Sequence, residues 1–449
     1  MVDPSPLARP KARFDRVPPS PRAEPTAVEP ESGSDYAMRV MTIIAVLVVL
    51  TQKIAVPGSG GALQIAPFLF YGAMAVLMFK GHVRIDPVRF ALFSATVGVA
   101  ALCQAVYHGN RFSIGSFGFY VLIYTSCVFV LPAEHKQYLK LLSALQNVGI
   151  FGGIFVIIDL AAQRVGMAPP NLEKVIPAEL LLKDFAYIRG VAFGSTQIKP
   201  NGLIFLEPSH CSQFLAFCLF AELCLFRRPW RVLFYFVTMF LTNGGTGMLL
   251  VLLSAPFAMM YFRPGVSIGL GALAVLGLIG AISAGFLDSL LARFEEFGSE
   301  KSSAHYRFVA PVQMIAAVLE GPTLNALIGV GAGNAPKQNP FVIWVPLAKT
   351  MYEYGLVFVV FWFPLTIIST FGQGRIFIMS WMMFMQYHIL NGSLLVPINF
   401  IYSLLFSGLY VLQGDHKEPD KEHRFAWQHG ASQTPKQSGT PGSSLAPLR

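Results

Sequence analysis

The chain has 449 residues, of which 54% are hydrophobic and only 13% charged, with a mean hydropathy of +0.55. Soluble globular domains carry about 25% charged residues, so a soluble single-core enzyme is excluded. The 38 Phe and 13% aromatic content exclude a chain that is disordered throughout. The apolar residues fall in blocks of roughly 20, the length that crosses a hydrocarbon core. An all-α, polytopic membrane protein fits this pattern.

The net charge of +9 is unevenly placed. Residues 1–36 hold five basic and six acidic side chains, and residues 413–449 hold five and four. The tails cancel, so the region between them carries the whole excess. In a membrane protein such an excess reports topology and contact with anionic lipid or phosphate, not nucleic acid. Cys103, Cys127, Cys211, Cys218 and Cys224 lie in apolar segments without paired metal or disulfide spacing and read as small buried hydrophobes. No metal or cofactor is expected.

In chain order, residues 1–36 are rich in Pro, Ser, Arg and Glu and read as a disordered tail. Twelve spans are predicted at about 38–56, 61–79, 90–109, 113–131, 141–163, 203–226, 230–242, 246–262, 265–286, 347–371, 376–391 and 394–412. Residues 37–412 thus form the transmembrane domain, and 413–449 a second disordered tail. The seventh and eighth spans form a hairpin around Thr242-Asn243-Gly244-Gly245-Thr246-Gly247. Loops after the even-numbered spans hold Lys80, Arg84, Arg89, Lys136, Lys140, Arg227, Arg228, Arg231, Arg263 and Arg375, against Asp86 and Glu134. Short loops on the other side hold only Lys53 and Arg111. The positive-inside rule then places both tails in the cytoplasm and two long loops, 164–202 and 287–346, outside. In a bacterial inner membrane that side is the periplasm.

The chemistry-bearing residues cluster in and beside the long loops. Arg189 and Lys199 precede Glu207-Pro208-Ser209-His210, and Pro208 suits the first turn of the sixth span. Glu207 then sits at an outward helix N-terminus, where anions are favoured. It is read either as functional or as a helix cap paired with Lys199. A second cluster holds Arg293, Glu295, Glu296, Ser303, His305 and Arg307, followed by an apolar stretch, 308–319, too short to span. Arginine's planar fork suits a phosphate or pyrophosphate, while a solvated loop with Arg293 paired to Glu296 is the plainer alternative. A glycine run, Gly329-Val330-Gly331-Ala332-Gly333-Asn334, can bring backbone close to a ligand. Glu353 opens the outer end of the tenth span, and ionisable groups at membrane depth are functional by default. Glu222, beside Arg227 and Arg228, reads as structural.

Taken together these motifs resemble the O-antigen polymerase and ligase superfamily of bacterial envelope proteins. The likeness covers about 180–410. It rests on the Arg-Gly stretch leading into Phe205-Leu206-Glu207-Pro208-Ser209, the Gly244–Gly247 hairpin, and Arg293 ahead of Ser303 to Arg307. The glycine run and Glu353-Tyr354-Gly355 complete it. The resemblance implies a glycosyltransferase-C-like fold and metal-independent glycosyl transfer in the periplasm from an undecaprenyl-diphosphate-linked oligosaccharide. It implies Arg189, Lys199, Arg293 and Arg307 on the diphosphate and Glu207, Glu353 or His305 as base. Gly329, Gly331, Gly333 and Asn334 would form the loop that meets the glycan. Ligases usually carry a His-Asn pair ahead of the final Glu-x-Gly, and 339–347 has no His. Repeat-unit polymerisation with inversion is therefore expected over ligation to lipid A core. Expected partners are membrane lipid, a chain-length regulator and a flippase. The rival from another class is a lipid-glycan flippase or polysaccharide exporter.

Overall fold

The computed structural model describes residues 33–105, 112–183, 185, 190, 197–262, 298, 302, 305–372, 376–390, 394 and 396–413. The expected ninth span (265–286), Arg189, Arg293, Glu295, Glu296, Ser303 and nearly all of both tails lie outside these residues. The described part is mostly helical, with 14 α-helices among the described residues. Among the described residues, four helical segments are long and apolar enough to cross a membrane: Gly33–Leu50, His135–Arg164, Pro208–Phe226 and Pro346–Phe371.

The first half runs α1 (Gly33–Leu50), α2 (Ala66–Phe79), α3 (Pro87–Cys103), α4 (Ile114–Thr125) and α5 (His135–Arg164). Local chemistry sets their starts. Asp86 caps α3 by accepting from Val88 and Arg89 N–H, with Pro87 at the first helical position. Ser113 caps α4, and Glu134 with Gln137 forms a capping box on α5. The loop after α5 carries short 3₁₀ turns at Leu172–Lys174 and Ala178–Leu180. Next come α6 (Pro208–Ala221), α7 (Pro229–Leu241) and α8 (Gly245–Ala258). Then follow α9 (Ala310–Glu320), α10 (Thr323–Ile328), α11 (Ala335–Gln338), α12 (Pro346–Phe371), α13 (Phe377–Met385) and α14 (Pro397–Ser403). The start of α6 at Pro208 and the α7–α8 hairpin match expectation.

Several boundaries differ. Gly33–Tyr36, expected in the tail, begin α1, where Ser34 and Asp35 hydrogen-bond Gln137. At its other end α1 stops at Leu50, because Ala55 pairs with Gln64 and Ile54 with Leu181 in isolated bridges. The all-α expectation is corrected by a small sheet of order β1-β2-β3. β1 (Arg84–Ile85) pairs antiparallel with β2 (Phe129–Glu134), which pairs in parallel with β3 (Tyr410–Gln413). Three loop ends meet there, and extended pairing satisfies backbone groups that would otherwise be buried unpaired. Gln413, expected in the second tail, ends β3.

Contacts between loops respect the alternation of sides read from the charges. Lys53 pairs with Glu173, Ala55 N–H donates to Leu180 O, and Ser113 N–H donates to Ala332 O. All these loops were placed on one side. The sheet joins loops placed on the other. At that second end Glu222, fully buried, accepts from Arg228 Nε at 2.9 Å and lies 3.6 Å from Arg231. This agrees with a structural Glu222.

Arg89 has a different role from a solvated topogenic charge. It is 1% exposed. Its guanidinium donates to the carbonyls of Gly408 (3.1 Å), Cys127 (3.3 Å) and Phe129 (3.5 Å). It therefore ties α3 to the start of the central strand β2 and to the chain entering β3. Hydrogen bonds to a charged group contribute about 1.5–3 kcal/mol each. Arg89→Ala is expected to lower unfolding stability by at least about 2 kcal/mol, read as the melting midpoint of detergent-purified protein. A midpoint equal to wild type would remove this role.

Candidate functional site

Two centres hold the expected site residues. The first is the start of α6. Pro208 takes the first helical position, so Glu207 stays extended at φ −143° and ψ 161°. The Glu207 side chain does not cap the helix; its Oε2 accepts from Ser209 Oγ at 3.1 Å. The α7–α8 turn packs on this point. Gly247 N–H donates to Ser212 Oγ (3.2 Å), and both Ser212 Oγ (2.9 Å) and Thr246 Oγ1 (3.4 Å) donate to Ser209 O. A Cβ at Gly244 or Gly247 would collide with Ser212, which explains the small residues of the hairpin. His210 meets the Phe185 ring edge-on at 6.4 Å.

Around this centre the neighbouring loops carry buried charge. Lys53 is 2% exposed and lies 3.2 Å from Glu173. Burial pushes its ammonium below the ordinary lysine range, with the Glu173 carboxylate opposing that shift. Lys199 lies with Asp159, Asn171 and Asn201 around a small cavity of about 30 Å³. A larger one, about 380 Å³, is lined by Ile157, Leu160, Ala161 and Leu241 with Arg164, Gln197 and Asn243. None of the expected catalytic residues lines it.

The second centre is a backbone crossing. α12 is broken at Gly355, whose φ of 77° and ψ of 179° only glycine readily adopts. The glycine run lies across the break. Val330 N–H donates to Tyr352 O and Gly331 N–H to Glu353 O, each at 3.0 Å. Gly329 and Gly355 approach so closely that a Cβ on either would strike the other's segment. Gly329, Gly331 and Gly333 all have positive φ, at 76°, 100° and 77°. The expected close approach of the glycine run is thus to the Glu353–Gly355 backbone. Asn334 Nδ2 closes the turn on Val330 O at 2.9 Å.

Glu353 is completely buried. Its Oε1 accepts from Ala335 N–H at 3.1 Å and lies 3.8 Å from Lys349 Nζ. The Gly333 N–H also faces the carboxylate. The structure therefore gathers Gly329, Gly331, Gly333, Asn334 and Glu353 into one knot. Among the described residues, no hydrogen bond or ion pair joins Glu207 to Glu353. His305, Tyr306 and Arg307 lie on a π-turn, His305–Val309, that leads into α9. Ile343 N–H donates to Tyr306 O, and Tyr306 stacks on Phe341. Arg307 is half-buried there. Any convergence with Arg189 and Arg293 lies outside the described residues.

The sequence matches no protein-family model and no curated protein. Among the described residues, no group of three or more His, Cys, Asp or Glu is placed to hold a metal ion.

Sequence reasoning missed Lys349, whose i, i+4 spacing from Glu353 was the available signal. It also missed Gln104, whose Oε1 accepts from Ala332 N–H at 2.9 Å and anchors the glycine run to the end of α3.

The crossing can be tested against a control. Gly355→Ala meets both a glycine-only conformation and a backbone collision, and is expected to cost more than about 2 kcal/mol. Gly58 has φ of 80° with nothing near its Cβ position, so Gly58→Ala should cost only about 1–2 kcal/mol. Melting midpoints of the two purified variants give the comparison. Equal losses would deny the crossing its structural weight.

Proposed function

We propose that the chain is a multi-pass inner-membrane glycosyltransferase that polymerises undecaprenyl-diphosphate-linked repeat units on the periplasmic side. The observation that carries this reading is the placement of Glu207 and Glu353. Glu207 sits at the start of α6 and Glu353 just before the break in α12, and glycine-rich turns brace both. The reading takes the twelve-span topology with both termini cytoplasmic, and a glycosyltransferase-C-like arrangement. Its motif support is the resemblance to the O-antigen polymerase superfamily. The loop contacts described above are consistent with the alternation of sides this topology needs.

The chemistry follows from the substrate. A lipid diphosphate gains negative charge as the glycosidic bond breaks. Arg189, Arg293 and Arg307, with Lys199, supply cations to that charge in a site of low dielectric. A carboxylate takes the proton of the acceptor hydroxyl, with Glu207 first in line, Glu353 second and His305 third. Glu207 holds Ser209 Oγ on one oxygen and sits closer to solvent than Glu353. A single displacement inverts the anomeric centre and requires no metal.

A deletion strain is expected to accumulate single lipid-linked repeat units and to lose high-molecular-weight polysaccharide. Long polymer retained on the carrier lipid would favour the ligase reading instead. In the complemented strain, Arg189→Lys, Arg293→Lys and Arg307→Lys should each cut polymer formation by about 10²-fold, comparable to losing an oxyanion-hole donor. Lys keeps the charge but loses the paired donors. Wild-type polymer from all three variants at equal membrane levels would exclude the arginines as the diphosphate clamp.

A further inference from the structure

Beside the glycine crossing, four fully buried side chains keep a polar atom with no hydrogen-bond partner among the described residues. They are Gln104 Nε2, Tyr120 Oη, Glu353 Oε2 and Tyr354 Oη. Exposure is 1% for Gln104 and Tyr354 and 0% for Tyr120 and Glu353. Other buried polar atoms of the described residues also lack a partner, and these four stand out by falling in one neighbourhood. The neighbourhood is fixed by contacts. Gln104 Oε1 holds Ala332 N–H, two residues from Val330 and one from Gly331, whose N–H groups hold the Tyr352 and Glu353 carbonyls. Tyr354 follows Glu353 directly, and its ring centroid lies 5.6 Å from that of Tyr120. The other oxygen of Glu353 accepts from Ala335 N–H at the start of α11, and the other end of the Gln104 amide accepts from Ala332 N–H of the glycine run. The two free ends are therefore oriented by bonds on their opposite sides.

The donor and acceptor inventory specifies what fits. An ionised carboxylate only accepts, the amide nitrogen only donates, and tyrosine hydroxyls do either. A neutral hydroxyl donates one proton and accepts through its lone pairs. We infer that Gln104, Tyr120, Glu353 and Tyr354 form an interior site for a hydroxyl group, donated to Glu353 and held by Gln104. Two sources carry that chemistry: an ordered water, or a sugar hydroxyl of the acceptor glycan. An anion is disfavoured by the carboxylate, and Lys349 beside Oε1 already offsets that charge against a cation. The site lies where a transmembrane helix is broken, and irregular backbone at membrane depth is tolerated where it is buried in protein or lines a cavity. The sugar source rests on the polymerase reading, since it makes Glu353 and Gln104 holders of a non-reacting hydroxyl of the acceptor glycan while Glu207 takes the proton. The water source does not.

The test uses the full chain in lipid nanodiscs. If Tyr120 and Tyr354 hold a bound hydroxyl, Tyr120→Phe and Tyr354→Phe lose a hydrogen bond and each lowers the melting temperature. If their hydroxyls are truly orphaned, removing them relieves a buried unpaired group and the melting temperature rises or stays unchanged, which overturns the inference. Free repeat-unit oligosaccharide separates the sources. A rise in wild-type melting temperature that is absent in Gln104→Ala identifies the sugar hydroxyl. No shift with oligosaccharide, with the tyrosine losses intact, identifies water. Because melting needs no turnover, this result stands apart from polymer formation in cells. A deletion strain that keeps its polymer would sink the polymerase reading and leave the hydroxyl site standing if the tyrosine variants still melt lower.

Discussion

A transmembrane helix that breaks must give its freed backbone groups partners inside the protein, because the hydrocarbon core offers none. At Gly355 the glycine run meets that demand: the Val330 and Gly331 N–H groups take the carbonyls of Tyr352 and Glu353. This exchange needs two backbones in contact without side chains between them, hence Gly329 against Gly355. Much of this end of the bundle follows from it. Ala332, next in the run, accepts from Ser113 N–H at the start of α4 and donates to Gln104 beyond α3. The crossing thus ties α3, α4 and α12 together and sets Glu353 in an enclosed position.

The same constraint separates the two candidate carboxylates chemically. Glu353 is fully enclosed, with one oxygen committed to the Ala335 N–H and the neighbouring Lys349. Glu207 stands at a helix start with a serine hydroxyl on one oxygen and a rigid hairpin behind it. An acid at a loop-facing helix start is the more accessible base, and an enclosed acid is suited to holding and orienting. The ranking of Glu207 ahead of Glu353 in the proposed mechanism has this physical basis.

Features governed by local chemistry were legible in the sequence. Pro208 marked the start of α6, the Thr242–Gly247 segment marked a hairpin, and the arginines after Glu222 marked its structural pairing. The alternation of basic loops also anticipated which loops meet. Features that depend on distant partners were not legible. Arg89 counted as a topological charge, yet its carbonyl partners lie 38, 40 and 319 residues away. The three strands are too short to show a period-2 pattern, and β3 pairs in parallel with a segment far earlier in the chain. Gly355 stands out in the sequence only as the end of Glu353-Tyr354-Gly355, and only the glycine loop laid across it reveals a break. Gln104 carried no signal beyond its polarity near the end of an apolar helix.

The proposed activity is chemical: lipid-linked repeat units would be joined and a lipid diphosphate released. The most direct measurement places purified full-length protein in proteoliposomes with undecaprenyl-diphosphate-linked repeat unit as the sole glycan, and follows product length and released undecaprenyl diphosphate together. The account predicts a ladder of products and one diphosphate released per bond formed, with both lost in Glu207→Gln. Repeat units that only change leaflet, with no diphosphate released, would contradict it and favour a flippase.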